Sequence, residues 1–365
     1  MKFIIICILL IYLYYKFRHP FWSRQPVFHY HNLLLWLSHE GIINEEIPSR
    51  INKYFSYEIA FLKTSDLSKK NKKKAFDLIS NHYLHTKNEA YHPTPASIFE
   101  YFHKQNNCFI SMHFSKNQLV STMTSRPLDC KIKGSEFQTN YVDFLCVHSN
   151  HRKKGIAPKT IYTHIVYCRE NCKNKTFFFK REGRMTSIVP LTTYTTYGFQ
   201  LSGKKHRLHH PRIKNVKIIK ENNNILYHFF QYAKKKFSSF VIPSYASIDN
   251  LIKKKLLYIY VVMYDFKPFG CYVFSETHTT YKGNRSVALM ATCCLGRKEL
   301  FVKYFYDCLY KISPKVILLE DISDSNVIIK DFLEKEKTLF STKTGYFLYN
   351  YACKPVKSNN VFIIN

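Results

Sequence analysis

The chain has 365 residues, of which 55 are Lys or Arg and 25 are Asp or Glu, so its formal net charge is +30. A hydrophobic content of 46% and an aromatic content of 16% exclude a wholly disordered protein, because that much apolar surface forms a core. The charge favours polyanions such as nucleic acid, anionic lipid or a polyphosphate cofactor. Since the lysines are spread in short runs without a nucleic-acid recognition motif, we interpret them as the codon bias of an AT-rich genome and expect no nucleic-acid partner.

Residues 3–15 form a continuous apolar run between Lys2 and Lys16. Its 13 residues are fewer than the roughly 20 of a membrane-spanning helix, but the flanking lysines suit a membrane interface. The small residues that precede a signal-peptide cleavage site are missing from the sequence here. The run predicts a membrane anchor within residues 1–18, with the basic body on the cytosolic side. A buried N-terminal strand or helix is the alternative.

Periodicity and turn signals predict helices and strands in alternation through the first part of the chain. A polar, irregular stretch extends to about residue 65. Helices are predicted over residues 68–80 and 97–102 and from residue 158 onwards. Strands are predicted over residues 108–113, 118–122, 142–147, 177–179 and 188–191.

The second part of the chain repeats this style after a basic stretch of unclear period at residues 206–224, which we interpret as the joint between two halves. Strands are predicted over residues 256–264, 270–274, 287–294 and 316–319, and a helix over residues 298–312. Eleven cysteines are scattered along the chain, and the close pairs among them have no partner pair at zinc-ligand spacing. The cysteines therefore predict reduced thiols in the cytosol and no metal site.

The most informative part of the sequence is the central segment, residues 144–158, which reads Phe-Leu-Cys-Val-His-Ser-Asn-His-Arg-Lys-Lys-Gly-Ile-Ala-Pro. An apolar strand runs into the loop Arg152-x-x-Gly155-x-Ala157, and Pro158 suits the first turn of the helix that follows. Free backbone N–H groups at such a helix start bind pyrophosphate, and three adjacent cations add to the attraction. A basic loop that only caps a helix is the simpler alternative.

The loop Arg-x-x-Gly-x-Ala resembles the coenzyme A loop of the GCN5-related acyltransferase (GNAT) superfamily. The longer word Phe-Leu-Cys-Val-His followed by Arg-Lys-Lys-x-x-Ala-Pro resembles the signature of the eukaryotic N-myristoyltransferases. The first segment, residues 21–27 (Phe-Trp-Ser-Arg-Gln-Pro-Val), resembles that family's Phe-Trp-x-x-Gln-Pro-Val. The last segment, residues 346–353 (Tyr-Phe-Leu-Tyr-Asn-Tyr-Ala-Cys), resembles its C-terminal Tyr-Tyr-Leu-Tyr-Asn-Trp-x-Cys.

The resemblance implies an α/β (α+β) fold of two GNAT-like halves around a pseudo-twofold axis, with mixed sheets flanked by helices. We expect an acyl-CoA-binding half over residues 19–215 and a peptide-binding half over residues 216–365. The implied activity is that of a glycylpeptide N-tetradecanoyltransferase, which moves myristate from myristoyl-CoA to the N-terminal glycine of proteins and so takes part in lipoprotein biosynthesis. We expect a cytoplasmic monomer without a metal, associated with membranes if residues 3–15 are an anchor.

The resemblance also assigns roles to individual residues. Backbone amides of Phe144 and Leu145 would form the oxyanion hole, and the terminal carboxylate of Asn365 would be the base. Asp143 replaces the family's usual Asn, and Thr186 falls where the family has a glycine-contacting Thr. The expected contacts to the acyl-CoA are Phe21, Trp22, Leu145, Cys146, Val147, Arg152, Lys153, Lys154, Gly155, Ile156 and Ala157. The expected contacts to the peptide are Tyr83 and Asp321.

Two departures from the family pattern leave alternatives open. The family has an acidic run that reads basic residues of the peptide, whereas residues 81–89 here carry only Glu89. The coenzyme A loop has Lys153-Lys154-Gly155 where a Ser followed by Lys-Arg is usual. The alternatives are the same fold acting on another acyl-CoA or amine, or without catalysis, and a basic structural protein bound to membranes or nucleic acid.

Overall fold

The computed structural model describes residues 10, 12–84, 89–103, 105–201, 216–220 and 223–365. The helices within these ranges are α1 (residues 12–18), α2 (Leu33–Leu37), α3 (Lys69–His82), α4 (Pro95–Phe99), α5 (Ile156–Asn171), α6 (Asn223–Lys236), α7 (Tyr245–Lys253), α8 (Lys298–Ile312) and α9 (Asn326–Lys335). The strands are β1 (Gly41–Ile42), β2 (Ile59–Lys63), β3 (Glu89–Tyr91), β4 (Phe109–Ser115), β5 (Gln118–Ile132), β6 (Ser135–Val147), β7 (Phe177–Glu182), β8 (Thr192–Gln200), β9 (Val216–Lys220), β10 (Ser239–Ile242), β11 (Leu257–Tyr264), β12 (Lys267–Tyr281), β13 (Asn284–Cys294), β14 (Val316–Glu320), β15 (Lys337–Tyr349), β16 (Tyr351–Ala352) and β17 (Val361–Ile363).

A large mixed sheet runs through the molecule in the order β17-β10-β5-β6-β7-β15-β8-β14-β13-β12-β11-β9, with β2 and β4 joined to β5 and β3 joined to β12. In one half, β4, β5 and β6 are antiparallel, β6 and β7 are parallel, and α5 connects the parallel pair. In the other half, β11, β12 and β13 are antiparallel, β13 and β14 are parallel, and α8 connects the parallel pair. A parallel pair needs such a crossover, for which a helix is the usual solution.

The two halves exchange strands at the centre of the sheet. β7 of the first half pairs with β15, and β14 of the second half pairs with β8. β8 and β15 also pair with each other, so each half is completed by a strand from the other part of the chain. The predicted α/β class with mixed sheets and flanking helices is confirmed. The division at residue 215 stays a prediction, since residues 206–215 and 221–222 of the proposed joint lie outside the described residues.

Most predicted elements of the chain are found, with shifted ends. The helix predicted over residues 68–80 is α3, whose N-terminus is capped by Ser68 accepting a hydrogen bond from Asn71 N–H. The helix predicted over residues 298–312 is α8. The strand predicted over residues 188–191 is wrong: Ile188 forms a single bridge and the strand begins at Thr192. Pro190 accounts for this, because it donates no ladder hydrogen bond.

The N-terminal part of the chain is more ordered than its composition suggests. The stretch predicted as irregular up to residue 65 contains β2, which pairs with β4. Of the predicted anchor, residues 3–9 and 11 lie outside the described residues. Within the part of the chain that the structure describes, no helix has the length and apolar character needed to cross a membrane.

Candidate active site

The first and last segments, which are far apart in the sequence, are hydrogen-bonded to each other. Tyr349 donates its hydroxyl hydrogen to Gln25 at 3.0 Å, and Asn350 N–H donates to the carbonyl of Pro26 at 2.7 Å. Gln25 and Asn350 are buried. Phe21 and Tyr349 also pack in one apolar cluster with residues of α5, which follows the central segment. The three segments therefore form one structural unit.

The central segment begins with a bulge at the end of β6. Asp143 pairs with Thr124 and Cys146 pairs with Thr122, so Phe144 and Leu145 together oppose a single residue of β5. Phe144 has a φ of +48°, a left-handed conformation that is uncommon for an aromatic residue. A bulge of this kind breaks the ladder and redirects the neighbouring groups. Phe144 and Leu145 consequently line two different cavities.

The cavity lined by Leu145, which we call the donor cavity, has a volume of about 560 Å³. It lies at the N-terminus of α5, where Gly155 has a φ of +74° and, among the described residues, no side chain caps the helix. The first-turn N–H groups are thus available to an anion. The expected acyl-CoA contacts that line the cavity are Leu145, Cys146, Val147, Arg152, Lys153, Gly155, Ile156 and Ala157.

Three of the expected acyl-CoA contacts lie elsewhere. Phe21 packs edge-on against Trp22, whose ring stacks on Phe179 at 6.2 Å, and neither lines the donor cavity. Lys154 is also absent from the lining. Arg152 lines the cavity but donates to the carbonyls of His82 at 2.5 Å and Val147 at 3.1 Å. Its guanidinium therefore joins the end of α3 to the end of β6.

The second, the acceptor cavity, has a volume of about 470 Å³ and shares Tyr83 and Leu84 with the donor cavity. Asp143, Phe144 and Asn365 line it, as the sequence leads one to expect. Its charged lining consists of the carboxylates of Glu89, Asp143, Glu182, Glu276 and Glu320 and the cations Arg126 and Lys180. The acceptor cavity is thus acidic in a chain of net charge +30, which suits a cationic amine.

The end of the chain is held at the acceptor cavity by its backbone and by its last side chain. β17 pairs in parallel with β10, and Ile364 N–H donates to the carbonyl of Val241 at 2.9 Å. Tyr346 donates its hydroxyl hydrogen to Asn365 Oδ1 at 2.8 Å, and Asn365 Nδ2 donates to the hydroxyl of Tyr141 at 2.6 Å. The apolar residues before Asn365 are fully buried. The terminus is therefore fixed in place.

A buried ion pair, which the sequence did not reveal, faces the bulge. Arg126 is 1% exposed, and its guanidinium carbon lies 4.7 Å from the ring centroids of both Tyr101 and Tyr141. Its Nη1 lies 3.7 Å from Asp143 Oδ2. Asp143 Oδ1 accepts a hydrogen bond from Phe144 N–H at 2.7 Å, so one amide expected in the oxyanion hole holds a carboxylate in this structure. Burial raises the pKa of Asp143, an effect that Arg126 opposes.

A second buried pair crosses the acceptor cavity between β7 and β14. Lys180 Nζ lies 2.7 Å from Glu320 Oε1, and Tyr194 donates its hydroxyl hydrogen to the same carboxylate. Burial alone would lower the pKa of Lys180, but Glu320 and Glu182 hold it well above its ordinary value. Lys180 thus keeps its positive charge in the lining of the cavity. Glu320 lines the cavity, whereas its neighbour Asp321, which the sequence singled out, does not.

The remaining expected groups are also located. Thr186 lines neither cavity; its hydroxyl accepts a hydrogen bond from Ile188 N–H at 3.3 Å. In the described part of the chain, no group of three or more His, Cys, Asp and Glu side chains is arranged to hold a metal ion. The ten cysteines of the described ranges are free thiols.

Comparison with known proteins decides which fold this is. The crystal structure of Saccharomyces cerevisiae N-myristoyltransferase with bound myristoyl-CoA is similar with a TM-score of 0.74 and 16% sequence identity, covering 95% of this chain and 99% of that one. The fold is that of N-myristoyltransferase. A second structure of the yeast enzyme, with bound myristoyl-CoA and inhibitors, is similar with a TM-score of 0.73, 16% identity and coverages of 95% and 93%. No curated protein sequence matches the chain.

A family model described as an acetyltransferase (GNAT) domain matches residues 63–187. This range contains the bulge, the Arg152–Ala157 loop and the whole of α5, and therefore every expected contact that lines the donor cavity. The resemblance to the N-myristoyltransferases and the GNAT superfamily, predicted from three short segments, is confirmed. Within the N-myristoyltransferase fold, the GNAT match lies in the half that holds the donor cavity.

Proposed function

We propose that the chain is a protein N-myristoyltransferase that transfers a myristoyl group from myristoyl-CoA to an N-terminal glycine. One observation carries the proposal: the donor and acceptor cavities meet at Tyr83 and at the Phe144–Leu145 bulge, and the end of the chain lies in the acceptor cavity. A thioester bound from one side and an amine bound from the other would come together at backbone N–H groups. That is the arrangement that acyl transfer requires.

The donor cavity supports the binding of a coenzyme A phosphate. Its anion-binding elements are the uncapped first turn of α5 and the loop cations that line it, of which Lys153 is the closest in sequence to Gly155. A helix N-terminus and a nearby cation attract phosphate together, because the partial charge of the helix end adds to the full charge of the side chain. The thioester of an acyl-CoA bound there would reach the bulge at Leu145.

The acceptor cavity supports the binding of a protonated amine. Five carboxylates face it: Asp143 pairs with Arg126, Glu182 and Glu320 share Lys180, and Glu276 pairs with Arg285. The carboxylates therefore outnumber the cations that pair with them. The terminal carboxylate of Asn365 adds a further negative charge. An N-terminal ammonium group entering this cavity would be attracted by these charges. The terminal carboxylate, which is ionised at neutral pH, would then accept a proton from it.

The chemistry follows from this placement. The neutral amine attacks the thioester carbonyl carbon, and the C–N bond forms as the carbonyl oxygen becomes an oxyanion. The N–H groups of Phe144 and Leu145 donate to that oxyanion, each such donor contributing about 3 kcal/mol to the lowering of the barrier. Collapse of the intermediate breaks the C–S bond, and the nitrogen gives its second proton to the leaving sulfur, so that coenzyme A departs as the thiol. The proton that the carboxylate accepted from the ammonium group is then released to solvent, which restores the base.

A second function, transfer to a different amine, is favoured by one feature of the acceptor cavity. Arg126 lies fully buried in its lining, and within the described part of the chain its Nε and Nη1 atoms make no hydrogen bond. Donors left unsatisfied in a buried site cost about 1–3 kcal/mol, so an acceptor that offers an oxygen to them gains affinity. An amine with a carboxylate close to it fits this feature better than a basic peptide does.

Mass spectrometry of acylated products distinguishes these functions. The purified chain is incubated with myristoyl-CoA and a panel of peptides that begin with glycine, half of them with an acidic second residue and half with a neutral one. We expect myristoylated peptide, with the acidic members favoured only if the second function applies. Acetyl-CoA in place of myristoyl-CoA tests the choice of acyl donor.

The matched control is the same peptide with an acetylated N-terminus, which offers no N-terminal amine and should stay unmodified. Modification of a lysine side chain, visible as product from the acetylated control, would contradict N-terminal specificity. Binding of myristoyl-CoA without any product from the whole panel would contradict the proposed transfer and leave an acyl-CoA-binding protein.

A further inference from the structure

Helix α2 turns an apolar face away from the body of the protein. Leu33, Leu34 and Leu37 are 60%, 79% and 85% exposed. The other side of the helix is anchored, since Trp36 packs on Phe28 with ring centroids 4.8 Å apart. Three adjacent exposed leucines on one short helix exceed the scattered apolar residues of an ordinary surface, and such a patch marks an interaction site.

Helix α1 contacts His31, the residue two positions before α2, and carries exposed apolar side chains of its own. Tyr12 and Tyr15 of α1 contact the ring of His31, which precedes α2, with centroids 5.6 Å and 5.2 Å apart. The opposite side of α1 carries Tyr14 and Phe17, which are 69% and 81% exposed. Two neighbouring helices thus present apolar side chains outward, and we call these five exposed residues, Tyr14, Phe17, Leu33, Leu34 and Leu37, the N-terminal apolar face.

The charge around this face identifies the kind of partner. The first 39 residues contain no Asp or Glu, although the whole chain has 25, and they contain Lys16, Arg18 and Arg24. These three cations are exposed. Exposed apolar side chains in a segment that carries exposed cations and no acidic residue fit an anionic phospholipid surface, where the apolar groups enter the acyl boundary and the cations meet the headgroups.

The chain that leads into α1 points to the same partner. Residues 3–9 read Phe-Ile-Ile-Ile-Cys-Ile-Leu, so the sequence that precedes α1 is also apolar and without acidic residues. Aromatic residues such as Tyr14 are also typical of the level at which a bilayer meets water.

We propose that the N-terminal apolar face docks on an anionic lipid bilayer, with α1 and α2 lying in the interface. The proposal is independent of the acyl-transfer activity. It does affect where the donor cavity lies relative to the bilayer. α1 ends three residues before Phe21, and Phe21 packs against α5, whose N-terminus lines the donor cavity. Docking would hold the donor cavity near the surface into which acyl-CoA, an amphiphile, partitions.

Tryptophan reporters test this docking directly. The chain has two tryptophans, Trp22 and Trp36, so replacing both by Phe leaves a dark background. Leu34→Trp then places a reporter on the face, and Phe266→Trp places a matched reporter at a site that is 89% exposed between β11 and β12. Vesicles of phosphatidylcholine and phosphatidylserine carry bromine on their acyl chains. We expect these vesicles to quench and blue-shift the reporter at position 34 and to leave the one at position 266 unchanged.

Three outcomes overturn the proposal. In the first, the reporter at position 34 stays unquenched while the protein floats with the vesicles, which would mean that residues 1–11 alone hold it there. In the second, its emission is already blue-shifted before vesicles are added, which would mean that the chain itself or a second copy covers the face. The protein does not float with the anionic vesicles at all.

A second set of variants measures the strength of the contact in the full chain. Leu33→Ser, Leu34→Ser and Leu37→Ser together should weaken partitioning into anionic vesicles at least tenfold, which corresponds to about 1.4 kcal/mol. The matched control changes three exposed apolar residues of the other half, Phe266, Tyr310 and Leu333, to Ser and should partition like the wild type. Equal partitioning of both triple variants and the wild type would overturn the proposal.

Discussion

The carboxylate of Asp143 accepts a hydrogen bond from the Phe144 N–H group, which the proposed acyl transfer would use to stabilise the oxyanion. Because its Oδ1 accepts from Phe144 N–H, a thioester oxygen that binds there has to displace it. Arg126 offers the displaced carboxylate a place, since its Nη1 lies 3.7 Å from Oδ2 and makes no hydrogen bond within the described ranges. On this account the carboxylate moves from the amide to the guanidinium as the donor binds.

Replacing one member of this pair is expected to destabilise the protein. Asp143→Asn leaves the buried cation of Arg126 without compensation, which should lower the free energy of unfolding by about 3 kcal/mol. Adding Arg126→Met removes the second charge and should restore most of that loss. Urea unfolding of the wild type, both single variants and the double variant gives the coupling energy of the pair.

The matched control for this cycle is the surface pair Arg50 and Glu170, whose Nη2 and Oε2 atoms are 2.6 Å apart with the Arg side chain 45% exposed. Its coupling should be much smaller than that of the buried pair, because solvent screens exposed charges. Additive effects of Arg126→Met and Asp143→Asn would mean that the buried pair is not coupled.

At the scale of elements, the loop before α5 is expected to hold the pyrophosphate of coenzyme A. Lys153→Glu with Lys154→Glu places carboxylates opposite phosphate and should weaken coenzyme A binding at least a hundredfold, or about 2.7 kcal/mol. Calorimetry measures the affinity. Gly155→Glu is a less clean test, because the φ of +74° at this position strains any side chain.

A charge-matched control lies at the start of α8, where Arg297→Glu with Lys298→Glu changes the net charge by the same amount. This variant should bind coenzyme A like the wild type. If both double variants lose affinity equally, the loss reflects net charge and not the loop.

Helix α5 is tied to the sheet through a buried histidine, which makes stability depend on pH. His164 Nδ1 lies 2.8 Å from Ser111 Oγ on β4, and its Nε2 lies 2.8 Å from Ser125 Oγ on β5. Burial lowers the pKa of His164 to about 3. At pH values between about 3 and 6.5, His164 binds a proton in the unfolded chain but not in the folded chain. The contribution to stability is therefore complete above pH 6.5 and decreases as the pH falls.

His164→Gln should reduce the pH dependence of stability. The histidine contributes a loss of about 1 kcal/mol in the free energy of unfolding between pH 6.5 and pH 5.5, which the variant should no longer show. Urea unfolding at the two pH values measures this difference. An unchanged difference would mean that other groups cause the acid sensitivity.

The sequence predicted elements whose periodicity is strong and missed those that depend on their neighbours. α8 was predicted with the ends that the structure has, because its apolar residues recur at helical spacing over four turns. β15 was missed, since the first half of this strand is largely exposed and shows no alternation. Its extended conformation comes from pairing with β7 and β8 on both sides.

Short motifs in the sequence locate the segments that line the donor cavity, but they do not reveal which polar residues are buried beside it. The loop before α5 and the end of β6 contain recognisable sequence motifs. Arg126, by contrast, lies in a polar stretch of β5 whose sequence does not indicate burial. Glu320, the last residue of β14, lines the acceptor cavity, whereas Asp321, which follows the strand, does not. Both positions depend on tertiary contacts between distant parts of the chain.

At the scale of the whole molecule, the exchange of β8 and β15 predicts that the two halves unfold together. Each half would lose a central strand if the other unfolded. Trp22 and Trp36 report on the first half, and the buried thiols of Cys271, Cys293 and Cys308 report on the second. We expect tryptophan fluorescence and thiol labelling to show one transition at the same urea concentration. Thiol labelling that precedes the change in fluorescence would show that the second half unfolds alone.

The role proposed for the end of the chain depends on both halves, since Asn365 lies between Tyr141 of β6 and Tyr346 of β15. Its side chain positions the carboxylate through two hydrogen bonds, each contributing about 1 kcal/mol. Asn365→Leu should therefore slow transfer by roughly tenfold while the carboxylate remains, which single-turnover kinetics would measure.

The most direct test of the proposed mechanism extends the chain by two glycines after Asn365 and measures single-turnover transfer from myristoyl-CoA to a glycine peptide. The extension converts the carboxylate at this position into a neutral amide, so the rate should fall at least a hundredfold, or about 2.7 kcal/mol in the barrier. Binding of myristoyl-CoA should be unchanged, since the donor cavity lies on the other side of the bulge. An extended chain that transfers at the wild-type rate would contradict the account and leave Asp143 as the group that takes the proton.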